Sequence, residues 1–149
     1  MKKFKFRYES ILKMKHDIED KIKNELSQLF AHKRELDEQL DLLCHKEQVY
    51  QSYIQNILIT GGSSSKMHGF YEGKKYYIDH KNEITQKIKS VELSIHSTQI
   101  HLVEAMKERK IMEKLKEKAF QEFIDMYNEA DAKLIEEVVN YNNSLKEGN

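Results

Sequence analysis

A seven-residue repeat of apolar side chains constrains this chain more than any other feature of its sequence. In the first half an unbroken row recurs at every seventh position: Ile22, Leu29, Leu36, Leu43, Tyr50 and Ile57. A second row, four residues on, alternates between apolar and charged: Leu26, Lys33, Leu40, Glu47 and Ile54. This spacing predicts the narrow apolar stripe of a coiled-coil helix. Before Ile22 the stripe is expected to drift, as a straight helix drifts against a repeat of seven, through Tyr8, Ile11, Leu12 and Ile18.

The same repeat runs through the second half of the chain in alternating steps of four and three. Its members are Ile84, Ile88, Val91, Ile95, Thr98, Leu102 and Ala105, followed by Arg109, Met112, Lys116, Ala119, Phe123, Met126 and Ala130. We expect Arg109 and Lys116 to lay their alkyl stems across the stripe and to keep their charges in water. The repeats predict two long helices, over residues 4–59 and 74–146.

Glycine and serine interrupt the repeat once, in the stretch LITGGSSSKMHG at residues 58–69. Gly61 and Gly62 can end a helix because glycine takes left-handed backbone conformations at little cost. The serines that follow resemble a flexible polar linker. The stretch lacks the Gly-Lys-Ser/Thr ending of a phosphate-binding loop. We therefore predict a flexible tip over residues 60–73, at which the chain reverses.

A helix with one narrow apolar stripe needs a partner, and the other half of the chain is the nearest one. The sequence thus predicts an all-α fold: residues 1–149 form a single antiparallel two-helix coiled-coil hairpin with a longer C-terminal helix. If the chain reverses near the middle of this tip, Phe4 lies near Met126, and the part of the second helix beyond Met126 extends past the start of the first helix as an overhang. The overhang stays amphipathic, which suggests a surface for another protein; a contact between copies and a frayed tail are the alternatives.

Composition excludes several classes of function. The chain has 25 basic and 25 acidic residues, so it lacks the basic surface of a general nucleic-acid binder. A single cysteine, Cys44, permits no intrachain disulfide and fits a reducing compartment. We expect neither a secretory signal nor a membrane span, and hence a cytoplasmic protein.

The sequence offers no constellation for catalysis. Its seven histidines include no pair spaced by three or four residues, the separations that place two imidazoles on one helix face. The carboxylates lie on exposed helical faces, and a two-helix hairpin has no concave pocket for a substrate. We expect no enzyme activity, metal, cofactor or small-molecule substrate.

Two segments resemble the FliJ family, the small stalk proteins of the bacterial flagellar type III export apparatus. They are FKFRYESILKMK at residues 4–15 and VEAMKERKIMEKLKEK at residues 103–118. The resemblance implies a non-enzymatic stalk whose two ends enter the hexameric ring of the export ATPase, FliI. It also implies binding to the membrane export gate protein FlhA and to export chaperones, at the inner face of the cell membrane at the flagellar base.

The resemblance assigns two groups of residues. Gate-binding positions fall on Gln39, Leu43, Tyr50, Tyr76 and His80. The two ends that would enter the ring carry large apolar side chains: Phe4, Phe6, Tyr8, Phe120, Ile124, Tyr127, Leu134, Val138, Tyr141 and Leu145.

The chain departs from the family pattern implied by the resemblance at three positions: Lys46 stands where an aromatic can occur, Gly73 replaces an aromatic, and His80 replaces a leucine. Leu43 and Tyr50 also lie on the apolar row, so simple helix packing is an alternative role for both. The injectisome stalk and a chaperone-like hairpin that holds client proteins remain the alternative functions. A client-holding hairpin should expose an apolar tip, whereas this tip is rich in glycine and serine.

Overall fold

Two α-helices make up the computed structural model, which describes residues 2–62 and 64–148. Helix α1 spans Glu9–Ile59 (51 residues) and helix α2 spans Ser64–Glu147 (84 residues). No strand occurs among the described residues. The all-helical fold class is confirmed. No helix in the described ranges is both long and apolar enough to cross a membrane.

Both helices begin at different residues from those expected. Helix α1 starts at Glu9 and not at residue 4, because the Phe4 ring packs against α2 at Phe120 and Phe123 and holds residues 2–6 in an irregular conformation. Helix α2 starts at Ser64 and not at residue 74. A glycine inside a helix costs only about 1 kcal/mol, which the packing of a long helix can offset. Of the predicted tip, residues 60–62 lie outside both helices; Ser63 lies outside the described residues.

The first helix ends in a Schellman motif. Gly61 takes the left-handed conformation, with φ of 84°. Its N–H donates to the carbonyl of Leu58 at 3.4 Å, and the N–H of Gly62 donates to the carbonyl of Ile57 at 3.1 Å. These bonds satisfy carbonyl groups that the end of a helix leaves without partners. As the sequence predicted, glycine stops α1 by supplying the conformation that other residues avoid.

The chain divides into two compact units. We call residues 21–103 the hairpin unit, and residues 1–20 together with 104–149 the terminal unit. In the hairpin unit, Leu36 of α1 is buried against residues of the α2 repeat. The ion pairs Lys33–Glu92 and Glu47–Lys81 show that the two helices run antiparallel here. The core cluster comprises Leu36, Ile88, Val91 and Ile95, with Leu26, Leu29, Leu40 and Ile84 packed around it.

The terminal unit pairs the start of α1 with the second half of α2. Leu12 and Ala105 are buried, and Ala105 contributes a small side chain at the seam. Lys116 pairs with Glu9 at 2.9 Å and Lys15 pairs with Glu108 at 2.8 Å, so the helices are antiparallel in this unit as well.

The expected drift of the stripe before Ile22 is wrong. Leu12 is buried, but Ile11, Ile18 and Tyr8 are exposed, and the other buried position is Glu19. Leu12 and Glu19 continue the alternating row of α1 backward without drift. A carboxylate is tolerated in this row because the Arg109 guanidinium donates a hydrogen bond to it. The expectation that Arg109 keeps its charge in water is therefore wrong too.

Candidate functional site

The hairpin unit has an open groove beside the turn. Its volume is about 340 Å³, and both helices contribute to it. Tyrosine, phenylalanine and aliphatic side chains form most of its walls, and a few polar groups lie at the rim. Such composition is typical of surfaces that bind apolar side chains of a partner. The lining residues are Glu47, Tyr50, Gln51, Ile54, Gln55, Met67, Phe70, Tyr71, Lys74 and Tyr77.

Tyr50, which lines this groove, makes a close contact with Gly73. The Tyr50 ring lies directly over Gly73, so a Cβ at that position would come within 2.5 Å of the ring carbon Cζ. The Tyr50 hydroxyl also approaches the carbonyl oxygen of Phe70 at 3.4 Å. Gly73 thus provides the space that the ring occupies. Gly73, one of the positions at which the chain was expected to depart from the resemblance, is the complement of Tyr50 in this structure.

Three of the gate positions implied by the resemblance join one row of rings. Tyr50 packs on Tyr77 with ring centroids 5.4 Å apart, and Tyr77 packs edge-on against Tyr76 at 5.3 Å. Tyr76 in turn stacks on His80 at 4.0 Å. Tyr76 and His80 are exposed, and Tyr50 is half-buried. The structure therefore brings Tyr50, Tyr76 and His80 together through Tyr77, a residue that the resemblance did not assign.

The remaining two gate positions lie on α1, outside this row of rings. Gln39 is exposed, whereas Leu43 is half-buried on the seam row. Its burial fits the packing role, and the side chain keeps part of its surface accessible.

An ion pair borders the groove and the aromatic row. Lys81 Nζ lies 2.5 Å from the carboxylate of Glu47. The hydrogen bond to Glu47 raises the pKa of Lys81 above its usual 10.5, against the opposing effect of burial. The Lys81 ammonium group is thus charged at neutral pH and held beside Glu47. Charged residues of the α1 row, such as Glu47, can therefore contribute to the register of the two helices as well as to solubility.

The aromatic ends of the terminal unit form a second concave surface, of about 680 Å³. Phe4 packs against Phe120 and Phe123 at centroid distances of 5.2 and 5.6 Å, and Phe6 packs against Tyr8 at 5.9 Å. The structure therefore brings Phe4 and Phe120, two residues of the implied ring-binding group, into contact. It also adds Phe123, which the repeat had assigned to the seam.

The other implied ring-binding residues lie along α2. Ile124 is half-buried, and every residue from Asp125 to Gly148 is exposed, including several large apolar side chains. We call residues 125–148 the C-terminal segment. Its exposed apolar residues at the assigned positions are Tyr127, Leu134, Val138, Tyr141 and Leu145.

A partly buried ion-pair network lies at the seam of the terminal unit. Arg109 donates to Glu19, whose side chain is 4% exposed, and to Glu113 at 2.9 Å. The hydrogen bond to Glu113, followed by the one to Glu19, raises the pKa of Arg109. Glu19 was not among the residues predicted to lie at the seam, although it occupies the same row as Lys33 and Glu47. Each of these three charged positions is paired with an opposite charge on α2.

The described part of the chain contains no group of three or more His, Cys, Asp or Glu side chains placed to hold a metal ion. A family model described as "Flagellar FliJ protein" matches residues 4–148. This match covers nearly the whole chain and confirms the resemblance carried by residues 4–15 and 103–118. Comparisons with curated proteins and with solved structures gave no significant match.

Proposed function

The chain belongs to the FliJ family, and from this premise we propose that it is the stalk that links the export ATPase to the export gate. Family membership indicates a component of the flagellar export apparatus, which favours the flagellar system over the injectisome. In the proposed mechanism the chain is cytoplasmic, has no enzyme activity, and is recruited to the inner face of the membrane. Its terminal unit inserts in the FliI hexamer and promotes the assembly and activity of the ring.

The main observation that supports this proposal is the exposure of the C-terminal segment. Leu134, Val138, Tyr141 and Leu145 are each more than half exposed, although they recur at helical spacing on one face. An apolar stripe of this length in water is typical of a binding surface. A single helix is also narrow enough to enter the centre of a ring. The adjacent cluster of Phe4, Phe120 and Phe123 would hold the irregular residues 2–6 beside the segment.

ATPase stimulation tests the proposal. We expect a chain truncated after Tyr127 to remain helical, because the residues removed make no buried contact, and to lose its stimulation of FliI. Val138→Glu should have a similar effect by placing a charge on the stripe. Asn143→Glu is the matched control, because Asn143 lies on the opposite face of the same helix. A truncated chain that still stimulates FliI fully would remove the C-terminal segment from the mechanism.

For the gate, we propose that FlhA binds the aromatic row of the hairpin unit together with Gln39 and Leu43. The exposed tyrosines supply large, rigid contact areas with polar tips, which suits them to protein recognition. Export chaperones are proposed to compete for or share this surface. The ion pair of Glu47 and Lys81 would fix the register of the helices beneath it.

The exposed Tyr76 gives the cleanest test of the gate surface. Tyr76→Ala should weaken binding to FlhA while leaving the melting temperature within a few degrees of wild type. Tyr50→Ala should weaken binding and stability together, since Tyr50 also packs on Gly73. Leu93→Ala is the control, because Leu93 is an exposed residue of the hairpin unit that lies outside both the groove and the aromatic row. Wild-type affinity of the Tyr76 variant would contradict the proposed surface.

A client-holding role is the second candidate, and one observation favours it. The tip was expected to be polar, but the helix ends beside it carry exposed apolar side chains: Leu58, Ile59, Met67 and Tyr71. Ile59 is 82% exposed. If these residues hold unfolded clients, the purified chain should suppress aggregation of a reduced model protein. Ile59→Lys should then lose this activity without affecting FliI stimulation.

A further inference from the structure

The terminal unit has an exposed apolar face that neither the seam nor the proposed functions account for. Ile11, Met14 and Ile18 recur on α1 at steps of three and four, and Ile111 and Leu115 are one turn apart on α2. Their exposed fractions lie between 37% and 59%. We call these five residues the lateral patch.

Both helices present their part of the lateral patch on one side of the seam. Ile11 and Ile18 directly precede the seam residues Leu12 and Glu19, and Leu115 directly precedes Lys116. In an antiparallel pair, residues that precede the seam on the two helices flank the same side of it. Of the five patch residues, Leu115 lines the concave surface beside Phe4. The two parts of the patch thus flank the groove between the paired helices, a surface on which an amphipathic helix can pack.

Basic side chains border the lateral patch. Residues 2–15 contain six basic side chains and one acidic one, Glu9. Lys15 is paired with Glu108, but four others form no ion pair among the described residues and line the same concave surface as Leu115: Lys2, Lys3, Lys5 and Arg7. These four are all exposed. Their charge favours an acidic occupant of the groove.

The C-terminal segment has the complementary properties. Residues 125–148 contain six acidic side chains and two basic ones, together with the exposed apolar stripe described above. This segment cannot reach the lateral patch of its own chain, because α2 continues without a break from Ser64 to Glu147. Leu134 lies about 28 Å along the helix axis from Leu115, at about 1.5 Å per residue. Only another copy can bring the two surfaces together.

We propose that two copies of this chain form a reciprocal dimer in which the C-terminal segment of each copy lies on the lateral patch of the other. Each copy then donates one helix and accepts one, so the contact is twofold and closed. The apolar stripe of one C-terminal segment packs against the apolar lateral patch of the other copy, and the acidic side chains of the segment lie beside the basic side chains that border the patch. Direct pairing of two C-terminal segments is disfavoured, because both carry the same net charge.

The dimer has a regulatory consequence, and this consequence alone rests on the proposed function. The C-terminal segment that occupies the partner copy is the one proposed to enter the ATPase ring. A dimeric chain is therefore unable to bind the ring, and the ring competes with the second copy for the same residues. The dimer itself is measured on the purified chain without FliI, so failure of one proposal is distinguishable from failure of the other.

Sedimentation velocity of the full chain over a concentration series tests the dimer. We expect a monomer–dimer equilibrium that shifts to monomer as salt rises from about 50 to about 500 mM, because screening weakens the charge attraction. Met14→Glu with Leu115→Glu alters the patch, and Leu134→Glu with Tyr141→Glu alters the segment. Either double variant should weaken dimerisation at least about tenfold, since a charge enters an apolar contact.

All four substituted residues are exposed, so both double variants should keep the helical circular dichroism of the wild type. Leu93→Glu is the control, because Leu93 is an exposed leucine of the hairpin unit, outside both surfaces. It should dimerise as the wild type does.

Mixing the two double variants makes the test specific. The patch variant keeps an intact segment and the segment variant keeps an intact patch, so the mixture can form one of the two contacts. We expect the mixture to associate more strongly than either variant alone and more weakly than the wild type. No association in the mixture, or a patch variant that dimerises like the wild type, would overturn the proposal.

The remaining outcomes are equally decisive. A chain that stays monomeric at every concentration contradicts the reciprocal dimer. Vesicles of phosphatidylglycerol and phosphatidylethanolamine provide the alternative occupant of a basic, apolar surface. Binding of a monomeric chain to these vesicles, abolished in the patch variant, would reject the dimer in favour of a membrane contact.

Discussion

The contact between Tyr50 and Gly73 can be tested by comparing two glycines of the same helix. Gly73 and Gly69 both lie inside α2, four residues apart. A Cβ at Gly69 meets nothing within 4 Å, whereas a Cβ at Gly73 meets the Tyr50 ring. The two substitutions by alanine therefore gain the same helix propensity and differ mainly in one steric contact.

The expected changes in the free energy of unfolding follow from the helix propensity of alanine and from the steric contact with Tyr50. Alanine stabilises an exposed helix interior by about 0.5–1 kcal/mol relative to glycine, so Gly69→Ala should raise the free energy of unfolding by that amount. Gly73→Ala gains the same term, but displacing the Tyr50 ring from its contacts should cost about 1–3 kcal/mol. We expect a net loss of about 1 kcal/mol for Gly73→Ala.

Urea unfolding followed by circular dichroism at 222 nm measures both values. In a Tyr50→Ala background the obstruction is gone, and Gly73→Ala should then stabilise the chain as Gly69→Ala does. The double-mutant cycle should give a coupling energy of about 1–3 kcal/mol between Tyr50 and Gly73. If Gly73→Ala stabilises the wild type as much as Gly69→Ala does, the ring does not occupy the space over Gly73 in solution.

Three further substitutions test the seam. Leu36→Ala should lower the free energy of unfolding by about 2–3 kcal/mol. This loss is near the lower end of the range for buried leucines, because the partly buried neighbours can relax. Leu42 is exposed, so Leu42→Ala should change the free energy of unfolding by less than about 0.5 kcal/mol in the same urea assay. Arg109→Met should lower the free energy of unfolding, because it removes the guanidinium from buried Glu19. Adding Glu19→Leu should recover most of that loss, and continued loss in the double variant would contradict the pairing. For Lys81→Met, the difference in melting temperature from wild type should be constant from about pH 7 to pH 9 and should shrink above about pH 10.5. The reason is that folding raises the pKa of Lys81, so the stability that its charge contributes is lost as the lysine deprotonates. A difference that does not depend on pH would show that the charge of Lys81 does not contribute.

The proposed dimer and the proposed ring insertion use the same C-terminal segment in two different ways. A stalk protein whose apolar end is exposed has to avoid non-specific association before it meets its ring. A reciprocal contact would cover that end until the ATPase competes for it. This relation predicts that variants of the lateral patch, which are monomeric but keep an intact segment, stimulate FliI at lower concentrations than the wild type.

Residue type and spacing were sufficient to predict the all-helical fold and the stop at Gly61. The repeat of seven selects a helix with one narrow stripe, and glycine is the residue that takes a left-handed conformation most easily. The family could also be predicted from short segments, since residues 4–15 and 103–118 carry its pattern. These features depend on local chemistry, which a sequence displays directly.

The tertiary structure decided which side chains face each other. From the sequence alone Glu19 looks like a solvated charge, but in the structure it pairs with Arg109 of the other helix. Ile11 looks like a core residue, but in the structure Leu12 occupies the seam and Ile11 is exposed. From the sequence, Gly73 was expected to lie at the end of a flexible tip, whereas in the structure it lies inside α2 under the Tyr50 ring. In each case the role depends on a residue from the other helix, at a distance in sequence that no local pattern encodes.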